Sequence, residues 1–426
     1  MEKFLIEGGV PLRGEVTPAG NKNAALPMLA ATLLSEEPVI LRNVPLIRDV
    51  KDMRKLLESM GADVQDLDET TWQITAKKLN PAALDMELSR RIRASILLAG
   101  PVTARCGELR LPPPGGDVIG RRRLDTHFLA LEALGAEVGY DRILEFKADG
   151  LKGAEILFDE ASVTATENAV MAAVLAEGKT VIRNAASEPH VQELCHLLNA
   201  LGAKIEEISS NTLHITGVEK LHGGEFTIGP DYLEVISFVG AAVVTKGEIR
   251  IRNAGVKYLD MVAYVMKRLG VIWEVDGDDL LISSDQDLNI IPDYGDAIPE
   301  IKTNVWPAFP TDLISIVITI ATQAAGTVMF HDWMYNGRMY FTDKLVSMGA
   351  KIILCDPYRC IVQGPAKLYG EKVDSPDIRA GMALLLAALA AEGKSTIRHI
   401  SQIDRGYSNV EQKLRALGAR IERATE

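Results

Sequence analysis

Apolar and polar positions along the chain follow one pattern that occurs six times. Each copy has a helical run, a short Leu/Met-Gly-Ala/Val sequence, and then alternating polar and apolar residues. Glycine reaches the left-handed backbone conformation at low cost, so the pattern predicts a helix that ends at the glycine. The alternation that follows is typical of a half-buried strand. The six predicted helix-ending glycines are Gly61, Gly135, Gly202, Gly270, Gly349 and Gly418.

A second pattern precedes several of these copies. Residues 175–184, 245–253 and 391–398 each indicate the end of a helix, a glycine turn and a strand. Together the two patterns predict a repeat with the order β-α-β-α-β-β, and six such repeats nearly fill the 426 residues. Solenoid repeats are shorter, about 20–50 residues. We therefore predict an α/β fold with pseudo-symmetric globular domains of three repeats each.

The amino-acid composition argues against several classes of protein. The chain has 46 Lys and Arg against 58 Asp and Glu, and this net charge of −12 argues against non-specific binding of nucleic acid or anionic membranes. The four cysteines show neither a metal-site spacing nor a disulfide framework, and suit a reducing compartment. The N-terminal residues lack a signal-peptide profile, and the most apolar run, 382–391, is shorter than the about 20 residues that span a bilayer. We expect a cytoplasmic protein.

Three loops carry candidate chemistry. In 18–27, Lys22 and Asn23 lie between a strand and a predicted alanine-rich helix over 24–34, where backbone amides and a lysine favour an anion. The proline- and glycine-rich loop 111–123 contains Asp117 and three arginines, whose guanidinium groups match phosphate geometry. Asp312 opens a predicted apolar helix over 313–325. From spacing alone, the lysine and the loop charges are equally compatible with solvated surface residues, and Asp312 with a helix N-cap.

Five strings together identify a resemblance. They are GNKNAALP at 20–27, RAS at 93–95, PGG at 114–116, AFPTD at 308–312 and IDRGY at 403–407. The chain resembles the enolpyruvyl transferases along nearly its whole length. The resemblance implies two inside-out α/β barrel domains, one of residues 22–229 with a mobile catalytic loop near 112–123, the other of 1–21 plus 230–426. It implies an active site in the cleft between them.

The resemblance also implies an activity. The enolpyruvyl group of phosphoenolpyruvate would move to the 3-hydroxyl of UDP-N-acetylglucosamine with release of phosphate, as the first step of peptidoglycan precursor synthesis. No cofactor or metal is implied. Two alternatives remain open: another nucleotide acceptor such as UMP, and a non-catalytic UDP-sugar-binding paralogue. Shikimate 3-phosphate is a more distant alternative acceptor.

Site residues follow from the resemblance by position. The catalytic set is Asp117 as the acid and Asp312 as the base, with Lys22 and Arg405. The residues matched to phosphoenolpyruvate binding are Lys22, Arg93, Arg122, Asp377, Arg379 and Arg405. Those matched to the UDP-sugar are Asn23, Arg93, Arg122, Asp125, His127, Ser162, Val163, Thr164, Asp312, Tyr335 and Arg338.

The sequence departs from the family pattern at a few positions. Most enolpyruvyl transferases of this kind have cysteine where Asp117 follows Pro-Gly-Gly. A carboxylic acid can donate a proton if a dry site raises its pKa, so we expect an active enzyme. Fosfomycin alkylates the family's cysteine, and an aspartate is a poorer nucleophile, so we also expect the enzyme to be insensitive to fosfomycin. Arg123, Thr164, Tyr232 and the string from Tyr335 to Arg338 also depart from the pattern and bear on the choice of acceptor.

Overall fold

The computed structural model describes residues 2–115 and 123–425. These ranges contain 23 strands and 13 α-helices, with short 3-10 segments between them. The strands are β1 (Glu2–Glu7), β2 (Arg13–Val16), β3 (Val39–Arg42), β4 (Asp63–Asp66), β5 (Trp72–Thr75), β6 (Glu108–Leu111), β7 (Glu137–Asp141), β8 (Ile143–Lys147), β9 (Glu155–Leu157), β10 (Lys179–Arg183), β11 (Lys204–Glu206), β12 (Thr212–Thr216), β13 (Gly224–Thr227), β14 (Glu248–Ile251), β15 (Glu274–Asp276), β16 (Asp279–Ile282), β17 (Glu300–Lys302), β18 (Gly326–His331), β19 (Lys351–Asp356), β20 (Arg359–Gly364), β21 (Lys372–Asp374), β22 (Lys394–Arg398) and β23 (Arg420–Thr425).

The helices range from completely buried to largely exposed. They are α1 (Lys22–Ala31), α2 (Arg48–Ser59), α3 (Met86–Ser89), α4 (Ala99–Cys106), α5 (Asp125–Ala133), α6 (Val163–Ala173), α7 (Pro189–Ala200), α8 (Tyr232–Val244), α9 (Asp260–Arg268), α10 (Ile314–Ala321), α11 (Thr342–Ser347), α12 (Ile378–Ala390) and α13 (Val410–Ala416).

The described chain divides into two compact units. The first unit comprises residues 2–19 and 230–425, and the second unit comprises 20–115 and 123–229. Each unit has its own hydrophobic core, one formed only by residues of the first unit and the other only by residues of the second. The chain therefore builds two separately packed bodies of similar size.

Each unit contains three sheets that share one strand arrangement. In the described residues, the sheets of the first unit run β21-β22-β1-β23, β2-β14-β16-β15 and β17-β18-β20-β19. Those of the second unit run β9-β10-β12-β11, β13-β3-β5-β4 and β6-β8-β7. In every four-stranded sheet the first pair is parallel and the next two are antiparallel. The predicted β-α-β-α-β-β repeat is confirmed, most simply by β9-α6-β10-α7-β11-β12.

Buried helices form the interior of each unit. In the first unit α8 and α10 bury every residue, and α12 buries all but its last. Their sequences are mostly apolar, with few charged residues such as Glu234 and Arg379, which is the pattern of a helix enclosed by other elements rather than lying on a surface. In the second unit α1 and α6 are almost as completely buried. Sheets around central helices give the inside-out arrangement that the sequence predicted.

The six glycines of the repeat behave as expected. Gly61, Gly135, Gly202, Gly270, Gly349 and Gly418 all have positive φ angles, between 77° and 105°. Each follows one of the more exposed helices and precedes the next strand or extended segment, so the left-handed residue ends the helix and redirects the chain.

One predicted boundary is wrong. The helix expected over 313–325 begins after the 3-10 turn Thr311–Leu313 and ends at Ala321. The Thr322 hydroxyl donates to the carbonyl of Thr319, and Ala325 then forms a bridge with Asn289. The chain leaves the helix early because this bridge ties it to a neighbouring segment. Separately, among the described residues we find no helix with both the length and the apolar character that a membrane span requires.

Candidate functional site

Lys22 lies at the start of α1 in the second unit. The side chain of Asn21 caps the helix by accepting from the backbone N–H groups of Asn23 and Ala24, at 2.8 and 3.3 Å. The Lys22 ammonium donates to Asp49 in the first turn of α2, with 2.8 Å between Nζ and Oδ2. Both side chains are about nine-tenths buried. Lys22 is therefore not the solvated turn lysine that spacing alone allowed, and Asp49 is a partner that sequence analysis missed.

Arg93 joins a second group of charges in the same unit. Its guanidinium donates to the backbone carbonyl of Arg123 at 3.0 Å. The Arg123 side chain in turn pairs with Asp125 at 2.8 Å and with Asp159 at 2.9 Å. These hydrogen bonds raise the pKa of the Arg123 guanidinium. The arginine that departs from the family pattern thus fixes Asp125, a residue matched to the UDP-sugar.

His127 is buried and held from both sides. Its Nδ1 accepts from the Asn168 amide at 2.8 Å, so Nε2 carries the proton and donates to the Thr164 hydroxyl at 3.1 Å. Burial, with a smaller contribution from the positive charge of Arg93, lowers the pKa of His127 to about 3. The imidazole is neutral at neutral pH. Ser162 and Val163 precede Thr164 at the start of α6 and are partly buried.

Asn168 is a further residue that sequence analysis missed. Its amide also donates to the carbonyl of Ile96 at 2.7 Å, and its Oδ1 accepts from the backbone N–H of Gly100 at 2.8 Å. It therefore connects α6 with the 3-10 segment Arg93–Leu98 and with the ring of His127. No local sequence signal distinguishes this asparagine from others in helices.

A buried acid lies further along α6. Glu167 is almost fully buried, and burial together with the charge of Glu188 raises the pKa of its carboxyl well above 4.5. Its Oε1 makes no hydrogen bond within the described residues. Burial, and then Glu167, also raises the pKa of the Cys195 thiol to about 12. This part of the second unit therefore holds an acid whose ionisation is disfavoured and an unreactive thiol.

Asp312 forms the centre of the cluster in the first unit. It lies in the 3-10 turn that leads into α10, and its two carboxylate oxygens face two different arginines. Arg338 donates to Oδ1 at 2.9 Å and Arg379 to Oδ2 at 3.3 Å. Both guanidinium groups are buried, whereas Asp312 keeps 31% of its side chain exposed. The turn has no side-chain cap, so the N-cap interpretation of Asp312 is wrong.

The two arginines remain firmly charged. Burial lowers the pKa of each, but nearby groups outweigh burial and leave both pKa values raised. For Arg338 these groups are chiefly the carboxylates of Asp312 and Asp377, and for Arg379 chiefly Tyr407 and Asp312.

Asp332 lies behind this cluster at the end of β18. It is fully buried and accepts from the hydroxyls of Thr303 at 2.8 Å and Thr311 at 2.6 Å, and from the N–H of Met334 at 3.1 Å. Its Oδ2 is 3.9 Å from Nε of Arg338. Asp332 thus contacts the residue before Asp312 and the arginine that binds Asp312.

The other predicted residues of the first unit lie on several elements, and two aromatic rings lie beside the arginines. Asp377 caps α12 by accepting from the backbone N–H groups of Arg379 and Ala380. The Arg379 guanidinium lies 5.6 Å from the ring centre of Tyr407, and that of Arg338 lies 5.1 Å from the ring centre of Tyr335. Arg405, at the end of the 3-10 segment Ile400–Arg405, donates to Gln402 at 3.2 Å.

The structure therefore brings most predicted residues into two groups, one in each unit. Asp312 contacts both Arg338 and Arg379 directly, and Arg93, Asp125, His127 and Thr164 are joined through Arg123 and Asn168. Two predicted residues, Asp117 and Arg122, lie outside the described residues. Over 2–115 and 123–425, no group of three or more His, Cys, Asp or Glu side chains is placed to hold a metal ion.

Known proteins are similar to this chain over nearly its whole length. The family model for EPSP synthase (3-phosphoshikimate 1-carboxyvinyltransferase) matches residues 6–414. A UDP-N-acetylglucosamine 1-carboxyvinyltransferase from Bradyrhizobium diazoefficiens is 54% identical over 424 residues, with 100% of this chain and 98% of the relative covered. One from Treponema denticola is 50% identical over 422 residues and covers 99% of each chain.

Solved structures share the fold. The enolpyruvyl transferase NikO from Streptomyces tendae superposes with a TM-score of 0.89 at 24% identity, covering 100% of this chain and 99% of that chain. An EPSP synthase from Acinetobacter baumannii superposes with a TM-score of 0.78 at 18% identity over the full length of both chains. At these identities the likeness concerns the fold alone.

Proposed function

This chain belongs to the EPSP synthase family, and from that premise we propose that it transfers the enolpyruvyl group of phosphoenolpyruvate to the 3-hydroxyl of UDP-N-acetylglucosamine. The observation that carries the choice of acceptor is the full-length similarity to relatives that are UDP-N-acetylglucosamine 1-carboxyvinyltransferases, at 54% and 50% identity. The chain is a transferase, and its proposed role is in peptidoglycan precursor synthesis in the cytoplasm.

The reaction needs an acid and a base. In the addition step the 3-hydroxyl oxygen bonds to C2 of phosphoenolpyruvate, the hydroxyl proton leaves to a base, and the methylene carbon gains a proton from an acid. In the elimination step the bond from C2 to the phosphate oxygen breaks, phosphate leaves with the electron pair, and the methyl group loses a proton. The enol ether is restored on the sugar.

We assign the base to Asp312. Its carboxylate is partly exposed, as a group that must reach substrate requires, while its two arginine partners are buried. Positive charges at this distance favour the ionised form of a carboxylate, and only that form accepts a proton. The same charges reduce its basicity, so the contacts of Arg338 and Arg379 set how strong a base Asp312 is.

We propose that phosphoenolpyruvate is bound by five cations, namely Lys22, Arg93, Arg122, Arg379 and Arg405. Lys22, Arg93 and Arg122 belong to the proposed domain 22–229, and Arg379 and Arg405 to the proposed domain of 1–21 plus 230–426. Phosphoenolpyruvate is polyanionic, and guanidinium and ammonium groups match its phosphate and carboxylate. Lys22→Ala and Arg405→Ala should therefore each raise KM for phosphoenolpyruvate in the same assay.

We propose that the UDP-sugar binds to the group around His127 and to Tyr335. The other residues of this group are Asn23, Asp125, Ser162, Val163 and Thr164. His127 is neutral and its Nε2–H donates to Thr164, so the group presents the uncharged Thr164 hydroxyl, which suits a carbonyl or hydroxyl rather than a second phosphate. Asp117 is the proposed acid.

A single assay tests the proposal. The protein is mixed with phosphoenolpyruvate and UDP-N-acetylglucosamine, and both phosphate release and product mass are measured, with UMP and shikimate 3-phosphate as parallel acceptors. Release of phosphate together with a UDP-sugar that gains the enolpyruvyl mass supports the proposal. Turnover with UMP or shikimate 3-phosphate alone would replace the acceptor, and binding of UDP-sugar without turnover would indicate a non-catalytic paralogue.

Asp312→Asn is the matched variant for this assay. The amide keeps the shape and can still accept from one arginine, so UDP-N-acetylglucosamine should still bind. Loss of a general base typically lowers the rate by about 100-fold or more, and we expect kcat to fall by that amount. An unchanged kcat would remove Asp312 from the role of base.

A further inference from the structure

A fully buried carboxylate lies directly behind the proposed base. Asp332 follows β18, which pairs in parallel with β17, and Thr303 follows β17 at the same edge of the sheet. The two residues meet there, with 2.8 Å between Thr303 Oγ1 and Asp332 Oδ1. A buried charge with no other role would be costly, so its remaining contacts indicate what it is for.

The other carboxylate oxygen faces the catalytic cluster. Oδ2 of Asp332 accepts from the Thr311 hydroxyl at 2.6 Å, and Thr311 is the residue immediately before Asp312. The same oxygen lies 3.9 Å from Nε of Arg338, whose Nη2 donates to Asp312 at 2.9 Å. Asp332 thus constrains the backbone turn that carries Asp312 and also the guanidinium that Asp312 binds.

From these contacts we infer that Asp332 is a positioning residue for the proposed base, acting through Thr311 and Arg338. The inference rests on the proposed function. Asp332 is then a second carboxylate in the group of residues that supports the base. In order of contact, this group is Asp332, Arg338, Asp312 and Arg379. None of these contacts requires Asp332 to touch substrate.

The inference has an electrostatic consequence. Among the described residues, the charged and titratable groups around Asp312 and its arginines include Arg338, Arg379, Asp332, Asp377, Asp231 and the phenols of Tyr335 and Tyr407. Asp332 has the same charge as Asp312 and offsets part of the positive charge of Arg338. When Asp332 is neutral, Arg338 stabilises the Asp312 carboxylate more strongly, and Asp312 becomes a weaker base that protonates only at lower pH.

The test variant is Asp332→Asn, measured as kcat against pH with both substrates saturating. We expect kcat to fall by about tenfold and the acid limb of its profile to move to lower pH, with KM for UDP-N-acetylglucosamine changed by less than about threefold. Arg338→Gln removes a positive charge and should move the acid limb in the opposite direction. A purely structural role of Asp332 would lower stability without moving the limb.

Two hydroxyl variants form a matched pair in case Asp332→Asn folds poorly. Thr311→Val and Thr303→Val each remove one hydrogen bond to Asp332, but only Thr311 is joined to Asp312. We expect Thr311→Val to lower kcat several-fold and Thr303→Val to leave kcat within about twofold of wild type. Equal losses in the two variants, or an unmoved acid limb in Asp332→Asn, would overturn the inference.

A structural readout separates this inference from the proposed function. If the wild-type protein shows no turnover, the proposed function fails, and the crystal structure of Asp332→Asn then decides the positioning role. We expect the turn of Thr311 and Asp312 to shift when the charged acceptor of the Thr311 hydroxyl is replaced, while the Arg338 guanidinium keeps its 2.9 Å contact with Asp312. An unmoved turn would contradict the inference whatever the activity.

Discussion

The Lys22 ammonium and the Asp49 carboxylate form an ion pair of 2.8 Å that is about nine-tenths buried. The pair joins the first turns of α1 and α2 in the second unit. The proposed donor ligand Lys22 therefore already has an internal anionic partner, which holds its ammonium at the start of α1. Each charge of the pair depends on the other, because little water reaches either.

We predict strong coupling between these two residues. Breaking a buried ion pair by removing one partner typically costs about 3–5 kcal/mol, so Lys22→Met and Asp49→Asn should each lower the free energy of unfolding by about 3 kcal/mol. The double variant should lose clearly less than the sum, measured by chemical denaturation. Lys367 and Glu392 are also 2.8 Å apart but exposed, and Lys367→Met is the control that should change little. Additive losses at Lys22 and Asp49 would show that the pair is not coupled.

His127 should make the protein sensitive to acid. Its pKa is about 3 in the fold against 6.5 in the unfolded chain, so between these values the unfolded chain binds the extra proton. The His127 contribution is complete above pH 6.5 and is lost as the pH falls toward 3. Relative to pH 7, wild type should lose about 3 kcal/mol more than His127→Gln at pH 4.5. Urea unfolding at both pH values measures this, and equal losses would contradict the buried neutral imidazole.

Glu167 should have the opposite pH dependence. Its pKa lies well above 4.5 in the fold, so the unfolded chain releases the proton first and stability falls as the pH rises above 4.5. Glu167→Gln keeps the neutral shape, and we expect it to raise the free energy of unfolding at pH 7 with no gain at pH 4. The exposed Glu177→Gln is the control. A gain at pH 4 equal to that at pH 7 would show that protonation is not the cause.

Asp117 should determine the response to fosfomycin. We expect no covalent adduct on the wild-type protein by intact mass spectrometry, because a carboxylate is a poorer nucleophile than a thiolate. Asp117→Cys should gain the adduct and lose activity with time. Asp117→Asn should lower kcat by about 100-fold if Asp117 is the acid. An adduct at Asp117 itself, or an Asp117→Asn variant as fast as wild type, would refute the assignment.

The repeated fold could be predicted from sequence because its signals are local. A glycine such as Gly202 ends a helix through its own backbone freedom, and the alternation after it marks a strand within a few residues. The end of α10 was misplaced because the bridge between Ala325 and Asn289 decides it, and that contact is tertiary.

The site residues also divide into those that local sequence identifies and those that only tertiary contacts bring into place. Asp312 and Arg379 stand in recognisable strings, so the resemblance named them, and the structure joins them. Their supporting residues could not be named, because each acts across the fold. Asp49 lies 27 positions from Lys22 and Asn168 lies 41 from His127, and neither stands in a distinctive string.

The pairing of β1 determines when its sheet can form during synthesis, because both partner strands lie far along the chain. β1 lies between β22 and β23, so residues 2–7 pair with residues 394–398 and 420–425, which are translated much later. The second unit, by contrast, is fully translated once residue 229 has emerged, and domains generally fold as units during synthesis. Until residue 394 has been made, residues 2–7 lack both strand partners, and unpaired strands readily pair with other chains. A chain that stalls after residue 229 and before residue 394 would carry a complete second unit and an unpaired β1, and we expect it to aggregate more readily than the finished chain.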